Sequence, residues 1–413
     1  MALQEEFKIK VQLTNEYLRT GEGVKKVHDP DLLQDIIDFR EGSDETYTSR
    51  LRAFMNTIYN SNLLPPYVGS DAMPEYKSLL QKSLFFDQLQ INTEAEFDEV
   101  YEKFKGAGGM LFRGQRESAW RLYNKLQRFW IIDGLERKGW TLETLLKKLA
   151  AEGTKEFKAA ILALLEQHNI DVVNDLSVLG YLQHHGCPTP LMDWTYSFAS
   201  ALYFGLDFLE ENKGSREIDD YFSVYFLEEK NMPLMRTVME EVLQEQGEER
   251  TRQIISAIAE SEEKRVEMEE HFKGRSMLDI NRVYGSGMIS YIVNSGRLLG
   301  FDLMYFSDKD ADKGFIFSLN NSQNILNQQG VFVLNSSPFK PLEAVAEERW
   351  IEENPQDADN YRFCECLNIK KSLVPYIRQR LEADGITKDY IYPAPDIDSW
   401  KVYNSCMEEG PGE

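Results

Sequence analysis

The stretch from Tyr181 to Gly205, YLQHHGCPTPLMDWTYSFASALYFG, constrains this chain more than any other. It gathers two adjacent histidines, a thiol, an aspartate and a tryptophan, with hydroxyl side chains at Thr189, Thr195, Ser197 and Ser200. Gly186, Pro188 and Pro190 interrupt regular structure, so the sequence predicts a tight loop from His184 to Asp193. From Tyr196 the spacing Phe198, Leu202, Tyr203 predicts a short helix with one apolar face, its first turn capped by Thr195 or Asp193. A polar loop feeding a helix N-terminus is a place where backbone N–H groups hold anions well.

Totals narrow the function classes. A chain of 413 residues with 42% hydrophobic and 12% aromatic content has material for one large or two ordinary folded domains. A net charge of −23 argues against a surface that neutralises many phosphates, so nucleic acid is not an expected partner, and anionic lipid is not favoured either. Four cysteines, Cys187, Cys364, Cys366 and Cys406, are too few for a disulfide framework at this length. The start, MALQEEFKIK, lacks the apolar core of a signal peptide. No apolar run reaches the roughly 18 residues that a spanning helix needs. The expectation is a cytoplasmic protein with no membrane partner.

Along the chain, residues 1–90 read as a helical region, a candidate surface for a protein partner. Thr93 followed by Glu96 is a helix capping pattern. GAGGMLFRGQ then reads as a helix stop and a short buried strand that delivers Arg113, and IDDYFSVYFLEE reads as a buried strand over 221–227. Residues 138–168 are helical by spacing. The acidic run 234–272 reads as one or two solvated helices inserted between strands. MISYIVN, DLMYFS, KGFIFSL, GVFVLN and YRFCECLNI read as strands or strand-like pieces, KKSLVPYIRQRLEADG as a helix stopped at Gly385, and 404–413 as a flexible tail.

Several side chains carry two readings. A guanidinium cannot shed its charge, so Arg113 between Phe112 and Gly114 is either half of an ion pair, with Asp193 the candidate partner, or a clamp on a ligand's phosphate or carboxylate. His184 and His185 point to opposite sides of an extended chain, so at most one faces a pocket, as acid, base or hydrogen-bonding anchor. Cys187 beside them is either a nucleophile or a turn residue, and the spacing of His184, His185, Cys187 and Asp193 makes a poor zinc site, so no metal is expected.

Three pieces stand in order: LFRGQ with Trp120 and Arg128 downstream, LQHHGCPTPLMDWTYSFASALYFG, and NQQGVFVL. Together they resemble the FRG domain family, named for its Phe-Arg-Gly motif, and the resemblance spans about 91–403, with 234–272 as an insertion. A second, weaker resemblance is to ADP-ribosyltransferases of the Arg-Ser-Glu type, through Arg113-Gly114, then Thr195 and Ser197, then Gln328 and Gln329. It implies an α+β fold with a mixed, split sheet and flanking helices, and NAD as substrate for ADP-ribosyl transfer or glycohydrolysis. Arg113 would hold the pyrophosphate and the hydroxyls would shape the nicotinamide pocket. Glutamine stands where that family has glutamate, which keeps a second reading open: a module that senses a ligand or binds a protein without turnover. On these resemblances the candidate catalytic residues are Arg113, His185, Asp193 and Gln329. The candidate ligand-binding residues are Gly114, Gln115, Gln183, His184, Trp194, Thr195, Ser197 and Gln328.

Overall fold

A computed structural model describes residues 73–411, apart from 84, 169, 171, 210–213, 233–254, 258, 273–288, 291–292, 302, 310–315, 355–360 and 395–396. Most of the N-terminal region and of the acidic insertion therefore lies outside the described residues. The ordered elements are β1 (Phe86–Ile91), α1 (Glu94–Phe104), β2 (Met110–Gln115), α2 (Lys125–Ile132), α3 (Leu142–Leu165), α4 (Asp175–His184), β3 (Leu191–Thr195), α5 (Phe198–Leu206) and β4 (Tyr221–Glu228). They continue with α6 (Glu262–Phe272), β5 (Leu303–Phe306), α7 (Gln323–Gln328), β6 (Gly330–Asn335), α8 (Leu342–Glu353), β7 (Cys364–Lys370), α9 (Val374–Ala383) and α10 (Trp400–Glu409).

The seven strands form one sheet in the order β1-β7-β4-β2-β3-β6-β5. Only the β1–β7 pair is parallel. β4 is buried along Tyr221–Leu227, a largely apolar run as expected of a strand covered on both faces, with the Ser223 hydroxyl hydrogen-bonded inside it. Six residue pairs join β2 to β4 and five join β3 to β6, but β2 and β3 meet at the single pair Phe112 and Thr195. The sheet is thus mixed and splays open at its middle, in agreement with the α+β, split-sheet expectation.

Helices seal both halves. α3, α4 and α10 enclose one core around Leu149, Leu182, Phe332 and Tyr403, while α1, α5 and α9 enclose another around Phe104, Phe112, Phe198 and Ile377. α5 lies so close to β2 that a Cβ on Gly114 would sit 1.8 Å from the Ala201 carbonyl oxygen and 2.6 Å from the Gly205 amide nitrogen. Glycine at 114 is therefore a packing requirement. α1 starts at the capping box of Thr93 and Glu96, as its sequence pattern predicts.

The expected loop at 184–193 is shorter than its breakers suggest. Nothing before Gly186 stops α4, which runs through His184 and ends in a Schellman motif: Gly186, at φ +83°, donates its N–H to Gln183, and Cys187 donates to Leu182, both at 2.9 Å. β3 then persists through Thr195, so the cap of α5 falls to Ser197, whose hydroxyl accepts from the Ser200 N–H at 3.1 Å. KGFIFSL yields no strand among the described residues. The N–H groups of Phe317 and Leu319 bind the Asp308 carboxylate at 2.7 and 2.6 Å instead of a neighbouring ladder. Ile289 and Ser290, expected in a strand, are helical, and residues 404–409, expected in a flexible tail, belong to α10, where Cys406 is buried. β1, which begins before residue 91, pairs with β7 and so is part of the same sheet.

Candidate functional site

The split between β2 and β3 opens a cavity of about 440 Å³. β2 supplies Arg113, whose Nη1 donates across the gap to the backbone carbonyl of Asp193 at 2.6 Å. The contact that tethers Arg113 is therefore to main chain, and the Asp193 carboxylate points elsewhere. Its Oδ2 accepts from Gln183 Nε2 at 2.7 Å, and Gln183 Oε1 in turn accepts from the Thr189 hydroxyl at 2.7 Å. The C-terminal turn of α4 adds His184, whose ring packs 4.9 Å from that of Phe332. Burial holds its pKa below the ordinary imidazole value against the pull of Asp193, so the ring is neutral at pH 7.

Four buried polar atoms of these cavity-lining residues have no hydrogen-bond partner: Arg113 Nε, Gln115 Oε1, His184 Nε2 and Asp193 Oδ1. Buried polar groups are nearly always paired in native structures, because an orphan forfeits its hydration. A cluster of orphans lining one cavity is the signature of a place that a polar ligand completes.

The segment after β2 and the first turn of α2 make the site cationic. Arg116, Lys125 and Arg128 line the same cavity as Arg113. The Asn124–Gln127 capping box starts α2 and sets Lys125 and Arg128 one turn apart on it, while Lys125 Nζ donates to the Gly186 carbonyl at 2.6 Å. Trp120 orders the other two: the guanidinium carbons of Arg116 and Arg128 lie 5.6 and 5.1 Å from its ring centroid. Burial pulls the Arg128 pKa down to about 10, and repulsion from Arg113 and Arg116 adds to the effect. Among the described residues no carboxylate pairs with Arg113, Arg116 or Arg128 through its side chain. Phe204, Asp207, Phe208 and Tyr392 form the far wall, where the Tyr392 hydroxyl donates to Asp207 Oδ2 at 2.9 Å.

Seven of the residues singled out from sequence line this cavity: Arg113, Gly114, Gln115, Gln183, His184, Asp193 and Gln328. The others do not. The His185 ring packs at a tilt against Tyr181, centroids 4.6 Å apart, and its carbonyl accepts from Ser399 at 2.6 Å, on the α10 side. Trp194 is a core residue, 1% exposed, and Thr195 is fully buried with its hydroxyl donated to the Gln328 carbonyl at 2.5 Å. Ser197 and Gln329 line a second cavity of about 680 Å³ beside the Gly106–Gly109 turn. Gln328 anchors α7 through Nε2 to the Ile391 carbonyl at 2.8 Å. Cys187 is buried and its pKa is pushed up to about 12 by desolvation, which removes it as a thiolate nucleophile. Among the described residues no group of three His, Cys, Asp or Glu side chains is arranged to hold a metal, and no helix is long and apolar enough to cross a membrane.

Arg116 and Lys125 went unselected by sequence reasoning, and Arg128 was noted as part of the family motif but not as a site residue, although a signal was available. Between 113 and 128 the chain places Arg113, Arg116, Arg121, Lys125 and Arg128 around a single acid, Glu117, in a protein with a net charge of −23. A local cationic run against an acidic background marks a site for an anion.

No curated protein and no solved structure matches the chain. A protein-family model does match, over residues 108–214. That span begins just before Arg113 and contains every element that lines the cavity except those that deliver Gln328 and Tyr392. The family is the FRG domain, and the chain carries an FRG domain at residues 108–214.

Proposed function

We propose that the cavity between β2 and β3 binds a phosphate-bearing nucleotide. The observation that carries this reading is the group of Arg113, Arg116, Lys125 and Arg128 around one cavity, the three guanidinium groups held there without carboxylate partners among the described residues. Repulsion among such groups is relieved by an anion with several oxygens, and arginine forks suit phosphate geometry. The volume of about 440 Å³ is that of an ordinary small-molecule site.

NAD is the nucleotide to test first, with its pyrophosphate at the arginines. Turnover by ribosyl transfer or hydrolysis would need a carboxylate near the ribose. Asp193, with an unpartnered Oδ1, is better disposed for that than Glu117, which is engaged by Lys371 Nζ at 2.7 Å. Gln329, in the position of the usual glutamate, lines the other cavity along with Ser197. This separation favours a site that binds NAD over one that uses the Arg-Ser-Glu constellation to transform it.

Calorimetric titration with inorganic pyrophosphate, ADP and NAD tests the reading, with nicotinamide release followed by chromatography. Binding of all three ligands is expected, weakened at least about tenfold in a folded Arg128→Ala variant, the scale of a lost charged hydrogen bond. Absence of binding by pyrophosphate and NAD at millimolar concentration would remove the proposal. Nicotinamide release that disappears in Asp193→Asn would add catalysis to binding.

A further inference from the structure

We propose that Phe208 is the platform on which the nucleobase stacks. The inference rests on the nucleotide reading above and assigns the end of the ligand that the arginines do not address. Phe208 lines the same cavity and is 76% exposed, the most exposed large apolar side chain among the described residues. A phenylalanine so placed gains nothing from burial until a ligand covers it.

Its backbone is also unusual. Phe208 follows the end of α5 with φ +54°, in the left-handed region that a bulky side chain rarely enters. Residues kept in such conformations cluster where a side chain must be presented in one direction. Of the other aromatic side chains that line the cavity, Tyr123 is buried and Phe204 packs against the Tyr392 ring, with centroids 6.5 Å apart. Trp120 carries the guanidinium groups of both Arg116 and Arg128, and the Tyr392 hydroxyl is committed to Asp207. Arg116 connects the two ends of the site, since its guanidinium carbon lies 5.6 Å from the Trp120 centroid and 6.0 Å from that of Phe208. A base stacked on Phe208 would therefore carry its phosphates directly towards Arg116 and the arginines beyond. Stacking tolerates any base, because every base has a π-face, so the platform favours nucleotides as a class over inorganic phosphates.

The test compares ADP with inorganic pyrophosphate by calorimetry on the full chain, in wild type, Phe208→Ala and Phe208→Trp, with thermal melts to verify folding. Wild type should bind ADP more tightly than pyrophosphate. Phe208→Ala should weaken ADP about tenfold and leave pyrophosphate within about twofold, and Phe208→Trp should restore ADP. Unchanged ADP affinity in Phe208→Ala overturns the platform while leaving the anion site intact. Equal losses for both ligands overturn it as well, because the side chain would then act on the arginines and not on the base. Failure of wild type to bind either ligand removes the nucleotide reading and the platform together.

Discussion

Arg121, in the short segment between β2 and α2, and Arg128, in the first turn of α2, meet opposite fates. Arg121, 3% exposed, donates Nε to Glu343 Oε1 at 2.9 Å. The same carboxylate accepts from the Tyr76 hydroxyl at 2.6 Å and from the Leu122 N–H at 3.2 Å, and the rings of Tyr76 and Phe85 lie 5.3 and 5.0 Å from the guanidinium. Among the described residues, Arg128 faces the ring of Trp120 and two like charges and has no carboxylate partner. A buried arginine that serves the fold is given its carboxylate by the fold. One that lacks it, beside orphaned polar atoms, is held for something that arrives from outside.

Breaking the satisfied member should cost most. Glu343→Ala removes the carboxylate that Arg121 Nε and the Tyr76 hydroxyl share in the core, and unfolding by urea should report a loss of about 3–5 kcal/mol. A loss below about 1 kcal/mol would mean that Arg121 finds another partner, and the contrast between the two arginines would collapse. Next comes Gly114→Ala, which tests whether packing holds the cavity wall in place. Its Cβ would collide with main chain at Ala201 and Gly205, atoms that no rotamer change can move aside. A destabilisation of about 1–3 kcal/mol or more is expected by denaturant melt. Ligand affinity should fall alongside, since α5 must shift away from β2.

Arg128→Met should behave in the opposite way. It removes a charge with repulsive neighbours and forfeits a cation–π contact of about 0.5–1 kcal/mol. Stability of the unliganded protein should therefore stay level or rise by up to about 1 kcal/mol, while pyrophosphate affinity falls at least about tenfold. A destabilisation approaching that of Glu343→Ala would place Arg128 in the structural class.

The same contrast explains what was legible in the sequence. Local rules worked where one turn decides the outcome: the Thr93–Glu96 box, the apolar run of β4 and the glycine stop at Gly385, φ +78°, are determined within a few residues. The dense stretch from Tyr181 to Gly205 did point to the site, yet only Gln183, His184 and Asp193 of its candidates reach the cavity. His185 and Trp194 differ from them by one residue of register, which follows from where α4 ends and β3 begins, while Thr195, two residues past Asp193, turns its hydroxyl to the Gln328 carbonyl. The Schellman motif at Gly186 sets the first of these boundaries. The family motif includes Arg128 and not Arg121, but no local rule reveals the partner that sets them apart, because Glu343 lies over 200 residues from Arg121.

The smallest expected effect is the most specific to the cavity. Burial lowers the His184 pKa, so in the folded protein the ring resists protonation more than in the unfolded chain, where it titrates near 6.5. Between the folded value and about 6.5 the unfolded state binds more protons, and stability therefore rises with pH through that window and falls as pH drops through it. His184→Gln should remove this part of the slope when melts are compared between pH 7 and pH 5. Asp193 opposes the shift, so Asp193→Asn should push the folded value lower and extend the loss to more acidic pH. A bound pyrophosphate should do the reverse, since its charge favours the imidazolium and narrows the window. Equal slopes in wild type and His184→Gln would show that the ring is not held in the dry, unpartnered state from which the site is inferred. A slope that shrinks on adding pyrophosphate, and only while Arg128 is present, would tie the orphaned histidine and the unpaired arginine to one ligand.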